Sequence, residues 1–233
     1  MKIRMSFQKS IVVLASLVAC GYLYVSPASA QDNLRSQINA QFTGVIPGTS
    51  TGNAIGDPEV TGNPITDQST RTGGFQANYG YQLNKWTGFD AGFGLARYSQ
   101  NFAGDFGSLP VQSNLREIET EFLLHIPDHI ARIHPYAAVG VGALRFMPTS
   151  NVNNAAGVLA QTRSSLVVGG GADFDISKRF GIRADYRALR FRVPDFRMTA
   201  LDTEAETHIS EPSVGVYFRF SKVSIGKKAH TGV

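Results

Sequence analysis

Two sets of side chains in this sequence could do chemistry. His208 and Ser210 stand two apart, with Glu204, Glu206 and Glu211 close by. A histidine beside a serine can take the hydroxyl proton and turn the oxygen into a nucleophile, with a carboxylate to orient the ring. The second set is ionic and recurs at alternate positions: Asp90; Glu117, Glu119 and Glu121; Asp173 and Asp175; Arg183, Asp185 and Arg187; and Arg219. Carboxylates and guanidinium groups brought together could relay a proton or an ion, or could pair and plug the space they fill. Glutamates spaced by two also resemble cation ligands, but no loop with calcium-ligand spacing accompanies them.

What either set can do depends on the elements that carry it. Side chains of a strand alternate between its two faces. In 208–220, Pro212, Val214, Val216, Phe218 and Phe220 fall on one parity, and Ser213, Gly215, Tyr217 and Arg219 on the other. The same alternation predicts strands over 36–46, 73–83, 88–98, 114–126, 135–146, 163–175 and 180–191. In 114–126, Ile118, Thr120, Phe122, Leu124 and Ile126 oppose Glu117, Glu119, Glu121 and His125. The connections alternate long and short. The long ones are 47–72, full of Gly, Pro, Asn, Asp and Thr, then 99–113, the Asn-rich 147–161, and 192–207. Eight strands, each close to a membrane-crossing length, predict an all-β, eight-stranded antiparallel up-and-down barrel.

The ends of the chain stand apart. Lys2, Arg4 and Lys9 precede an apolar run from Ile11 to Val25, and Ala28-Ser29-Ala30 offers a small-residue cleavage site before Gln31. This predicts an export signal over 1–30, with lipidation at Cys20 as the rival reading. Domains follow as 1–30 signal peptide, 31–220 barrel and 221–233 basic tail. Losing Lys2, Arg4 and Lys9 takes the net charge from +4 to +1, so the basic precursor carries no argument for nucleic acid. Cys20 is the only cysteine, which leaves the mature chain without disulfides or zinc-thiolate sites. No phosphate loop or dinucleotide fingerprint is present. No cofactor, metal site or enzymatic activity is expected.

A soluble barrel would turn the apolar face inward and a transmembrane barrel would turn it outward. The face opposite the apolar one carries the ionic set together with Gly80, Gly92, Gly94, Gly140, Gly142, Gly169, Gly171 and Gly215. Glycines weaken a strand and add no solubility, yet they make room in a narrow lumen for long Arg and Glu side chains. Tyr81, Phe89, Phe174, Phe180, Phe218 and Phe220 gather on the apolar face toward the short-turn end, as in an interfacial girdle. Arg97, Arg116 and Arg145 break the apolar face only at strand ends beside long loops, where they can snorkel. The charges therefore belong in the lumen and the apolar face toward lipid.

Pro135-Tyr136-Ala137-Ala138-Val139-Gly140-Val141-Gly142, Gly181-Ile182-Arg183-Ala184-Asp185-Tyr186-Arg187 and Gly215 to Phe220 carry a resemblance to small outer-membrane β-barrel proteins of the OmpA/OmpX type over 31–220. Ser213, Gly215, Phe218 and Phe220 resemble the closing-strand signal read by the barrel-assembly machinery. The resemblance implies an outer-membrane address, lipid and lipopolysaccharide as surroundings, and a monomer. The role expected of the chain is structural or surface-interacting, with the 47–72 loop as contact site on length alone. Three alternatives differ in class: a narrow pore for small solutes, a lipid A-modifying enzyme, and a soluble periplasmic lipocalin-like barrel. The enzyme reading rests on His208-x-Ser210, which resembles the His-x-Ser of lipid A deacylase barrels. Those enzymes follow the serine with Asn, where this chain has Glu211, and their acidic partner has no counterpart that can be placed.

Overall fold

Alternation with a period of two fixes which side chains share a face, and a slip of one residue would turn every one of them over. The strand pairing keeps that order around a closed wall. The computed structural model describes residues 34–221 apart from 60, 106, 127–131, 151–153 and 155. The proposed leader with Cys20, and Lys222, Lys227 and Lys228 of the tail, lie outside the described residues.

The strands are β1 (Ser36–Pro47), β2 (Ser50–Asn53), β3 (Pro64–Ser69), β4 (Thr72–Gln82), β5 (Thr87–Gly104), β6 (Gly107–His125), β7 (Ile133–Pro148), β8 (Gln161–Asp175), β9 (Phe180–Arg192) and β10 (Glu206–Phe220). Eight of them run β1-β4-β5-β6-β7-β8-β9-β10, every neighbour antiparallel, and β10 pairs back onto β1. Closure leaves no free sheet edge in the wall. At the closing seam Gly215 lies opposite Gln41. A Cβ on Gly215 would stand 2.0 Å from the Ala40 carbonyl oxygen, so only glycine lets the two strands approach here.

The outward face is apolar on all eight wall strands. Phe42 is 74% exposed and Ile118 63%, and Val139, Val168, Tyr186 and Val214 are exposed on the same face. A monomer in water rarely shows one continuous apolar surface of this extent. At the short-turn end Phe89 meets Phe122 edge-on at 5.3 Å, Phe218 stacks on Phe220 at 6.4 Å, and Trp86 is exposed in the β4–β5 turn.

The external end differs from the expected loops. Within 47–72, β2 and β3 form a hairpin, and β3 adds to β5 through Thr66↔Ala103 to Ser69↔Gln100. Likewise β5 and β6 continue through 99–113 and pair to Gly104↔Gly107. Turn-forming residues mask these ladders in the sequence, but each hairpin satisfies its own backbone groups. The last long connection is tied in as well: Ala54 bridges Thr203, and the Ile55 amide donates to the Asp202 carbonyl at 2.9 Å.

Candidate functional site: the barrel lumen

Inward parity brings the predicted ionic set into one lumen. Cross-strand pairing then decides who meets whom. Asp90 lies across from Glu121, Gly92 from Glu119 and Gly94 from Glu117. On β9, Arg187 faces Gly169 on one side and Glu211 on the other. A Cβ on Gly169 would come within 3.0 Å of the Arg187 side chain, and one on Gly92 within 2.6 Å of Glu119 Oε1. The lumenal glycines therefore leave the space that the long ionic side chains occupy.

Two guanidinium centres organise the buried charges, and a third lies nearer the short-turn end. Arg187 donates through Nη1 to Glu119, and through Nη2 to Gln76 Oε1 and Glu211 Oε2, each at 2.7 Å. Glu117 and Glu121 stand 4.0 Å from its Nη1. Arg183 takes Asp173 with two donors, Nε at 2.6 Å and Nη2 at 3.2 Å, and reaches Asp90 through Nη1 at 2.7 Å. Arg219, half-buried, bridges Asp173 at 3.0 Å and Asp175 at 2.8 Å. Asp185 is held by the Tyr136 hydroxyl and Asp175 by that of Tyr217. Such pairs are short, directional and screened from water, so they tie β5, β6, β8, β9 and β10 together across the lumen.

Glu211 belongs to this network, although its nearness to His208 and Ser210 in sequence suggested otherwise. Parity carries the signal: Glu211 is in step with Ser213, Gly215, Tyr217 and Arg219. Neutral lumenal partners, Gln37, Asn39, Gln41, Gln76 and Asn78, are buried too and follow the same rule.

Outward of the charges the lumen turns apolar. Leu115, Leu144, Phe146, Val167, Leu189 and Phe191 continue the inward face and are buried. Phe196, from the β9–β10 connection, completes this core against Phe102 at 6.1 Å and Phe146 at 6.3 Å. Its backbone has φ 50°, a strained value for a residue with a Cβ. Gln161 steadies it by accepting the Phe196 amide at 3.0 Å, while Asp195 takes Arg163 at 2.8 Å. The plug thus has two layers, one ionic and one aromatic and aliphatic. Toward the short-turn end, the lumen opens as a cavity of about 370 Å³ lined by Arg35, Lys85, His125, His134, Asp173 and Arg219, among others.

One carboxylate is buried in the external cap. Asp67 on β3 accepts from Gln100 Nε2 at 2.8 Å and Ser69 Oγ at 3.3 Å. Burial pushes its pKa up to about 6, against these two hydrogen bonds.

The other predicted site residues are placed as follows. Ser213 and Gly215 face the lumen at the closing seam, while Phe218 faces outward and Phe220 is partly covered. His208 is exposed on the outer face, and Ser210 is half-buried. Alternate residues on one strand face lie about 7 Å apart. Among the described residues no hydrogen bond joins these two side chains, and Glu206 is engaged by Arg190 at 2.6 Å. The described residues hold no group of three or more His, Cys, Asp or Glu placed to bind a metal ion.

A family model described as outer membrane protein beta-barrel domain matches residues 12–220. Among curated protein sequences none matches. Among solved structures, the outer membrane protein OprG of Pseudomonas aeruginosa is similar at TM-score 0.56 and 15% identity, over 82% of this chain and all of that one. Outer membrane protein AlkL, determined in lipid bilayers, is similar at TM-score 0.52 and 15% identity, over 87% and 98%. Neisserial surface protein A is similar at TM-score 0.51 and 14% identity, over 79% and 97%. At these identities the likeness is one of fold.

Proposed function

The chain belongs to the outer membrane protein β-barrel domain family, and from that premise we propose that it is a sealed barrel whose work is done by its external cap. The barrel is integral to the outer membrane, and its role in this reading is structural and surface-directed. It anchors a folded external platform in the envelope and presents it for contact. The two-layer plug is the observation that carries the reading. A path through the lumen would have to part the Arg187 cluster and then displace Phe146, Phe196 and Leu189, all buried to within 1%. The contact surface is the cap built on the β2–β3 and β5–β6 hairpins.

Conductance of the refolded protein in planar bilayers separates this role from a pore for small solutes. The sealed reading expects no discrete single-channel steps in symmetric salt. Reproducible steps would refute it in favour of the pore.

Catalysis is not part of the reading: among the described residues no hydrogen bond joins His208 and Ser210, and the neighbouring Glu206 is held by Arg190 at 2.6 Å. Ser210→Ala should leave the lipid A acylation pattern unchanged. A changed pattern would restore the enzyme. The closing-strand residues Ser213, Gly215, Phe218 and Phe220 are assigned to recognition by the assembly machinery, and the chain to a monomer. Residues 1–30 are assigned to a removed leader, which the mass of the membrane-extracted protein tests: a chain starting at Gln31 is expected, and one starting at Cys20 would favour lipidation.

A further inference from the structure

The outward face of β5, β6 and β7 changes character at its external end. On β5 the run Phe93, Leu95 ends at Arg97; on β6 Arg116 precedes Ile118; on β7 Val141, Ala143 ends at Arg145. All three arginines are exposed. Arg116 lies directly across from Arg145, and Arg97 pairs with Asn114, which makes it the diagonal neighbour of Arg116. Like charges directly opposite on adjacent strands repel and destabilise the pair. No ion pair among the described residues involves Arg97, Arg116 or Arg145. At the external end of β9, by contrast, the protein supplies its own counter-charge: Arg190 holds Glu206 at 2.6 Å and Arg192 holds Asp202 at 3.1 Å. On β5 to β7 a triad of cations has been left for an anion from outside the chain.

Position identifies that anion. From Arg116 on β6 to Ile126 just past its end the chain runs about 34 Å at about 3.4 Å per residue. Tilted by about 40–45°, this spans about 25 Å along the membrane normal, the height of a barrel's apolar band. The guanidinium groups therefore sit where acyl chains give way to headgroups. The planar guanidinium fork matches phosphate oxygens. Directly beneath lie Leu95, Ile118 and Ala143, an apolar surface continuous with the triad that suits acyl chains. We propose that Arg97, Arg116 and Arg145 form a docking surface for a phosphorylated, multiply acylated lipid of the outer leaflet. This rests on the reading of the chain as an outer-membrane barrel.

The test is titration of bis-phosphorylated lipid A into the detergent-refolded mature protein starting at Gln31, with bound lipid counted by native mass spectrometry. A parallel titration uses lipid A with its phosphates removed, and a third adds inorganic phosphate as competitor. A cation near a membrane surface contributes about fivefold to binding, so Arg97→Gln, Arg116→Gln and Arg145→Gln together should weaken binding about a hundredfold. Dephosphorylated lipid should bind the wild type as weakly as phosphorylated lipid binds the triple variant. Inorganic phosphate should displace little. Equal affinity of wild type and triple variant, or of the two lipids for the wild type, overturns the proposal. So does displacement of the lipid by inorganic phosphate, which would make the site one for free phosphate. The wild-type arms decide even if the triple variant does not fold. The barrel reading is checked separately by the wild type's change in gel mobility on boiling, and a failure there would be distinct from a failure to bind lipid.

Discussion

At the residue scale, Arg187 is where the lumen depends most on one side chain. Its guanidinium is the shared partner of Glu119 and Glu211 and stands within 4.0 Å of Glu117 and Glu121. All five side chains are almost wholly buried. Removing one partner of a buried ion pair leaves the other without compensation and typically costs about 3–5 kcal/mol. Arg187→Leu should therefore lower unfolding stability by about that amount, because four glutamates then face one another without a cation. Urea unfolding of the refolded protein in detergent or lipid measures it. Arg190→Leu, on the outer face with an exposed partner, should change stability by less than about 1 kcal/mol. Equal losses would mean that the buried network does not hold the wall together. This network was legible in the sequence because ionic side chains on one parity of a strand must share a face. Glu211 was obscured by its neighbours His208 and Ser210, which suggested a different chemistry at the same spot.

At the element scale, the external hairpins are the part the sequence concealed. Gly, Pro and Asn in 47–72 and 99–113 read as loops, yet these stretches build β2, β3 and the outer halves of β5 and β6. Period-two alternation persists there, but the inward residues become apolar. With Tyr98, Phe102, Val111 and Ile65 inside, polarity no longer distinguishes the two faces. What closes the cap is long-range: β3 adds to β5, and Phe196 arrives from a connection nearly a hundred residues beyond β5. No local pattern encodes such a contact. The cap also carries a titration. Asp67 has its pKa raised to about 6 in the folded protein, from 3.8, chiefly by burial. The folded cap therefore favours the protonated acid. The associated stability is fully present below about pH 4 and is lost as pH rises through about 6, a difference on the order of 3 kcal/mol. Hydrogen exchange at Thr66 to Ser69 and Gln100 to Ala103 should accordingly be slower at pH 5 than at pH 7.5, after correction for intrinsic rates. Asp67→Asn should abolish that pH difference while keeping the hairpin protected. A difference that persists in Asp67→Asn would place the titration elsewhere.

At the scale of the whole molecule, one arrangement accounts for the rest. Alternation alone fits either a soluble or a membrane barrel. The choice was legible because a lumen must accommodate Arg183, Arg187 and their glutamate partners, and only glycines on the same face leave them room. Closure of β10 on β1 then turns Ile38, Phe42, Ile118, Val139, Val168 and Val214 outward around the whole wall. The same belt sets the height of the arginine triad and holds the cap at the membrane surface. That these residues meet acyl chains is the claim on which the sealed lumen, the cap and the lipid site all stand. The direct measurement is spin-label accessibility. With Cys20 replaced by serine, a single nitroxide is placed at Phe42, Ile118, Val139, Val168 or Val214 of the protein refolded into bilayers, and its collisions with oxygen and with a water-soluble nickel chelate are compared. All five positions should collide with oxygen and be shielded from the chelate. Chelate accessibility at these positions, equal to that of an exposed loop label, would contradict the account.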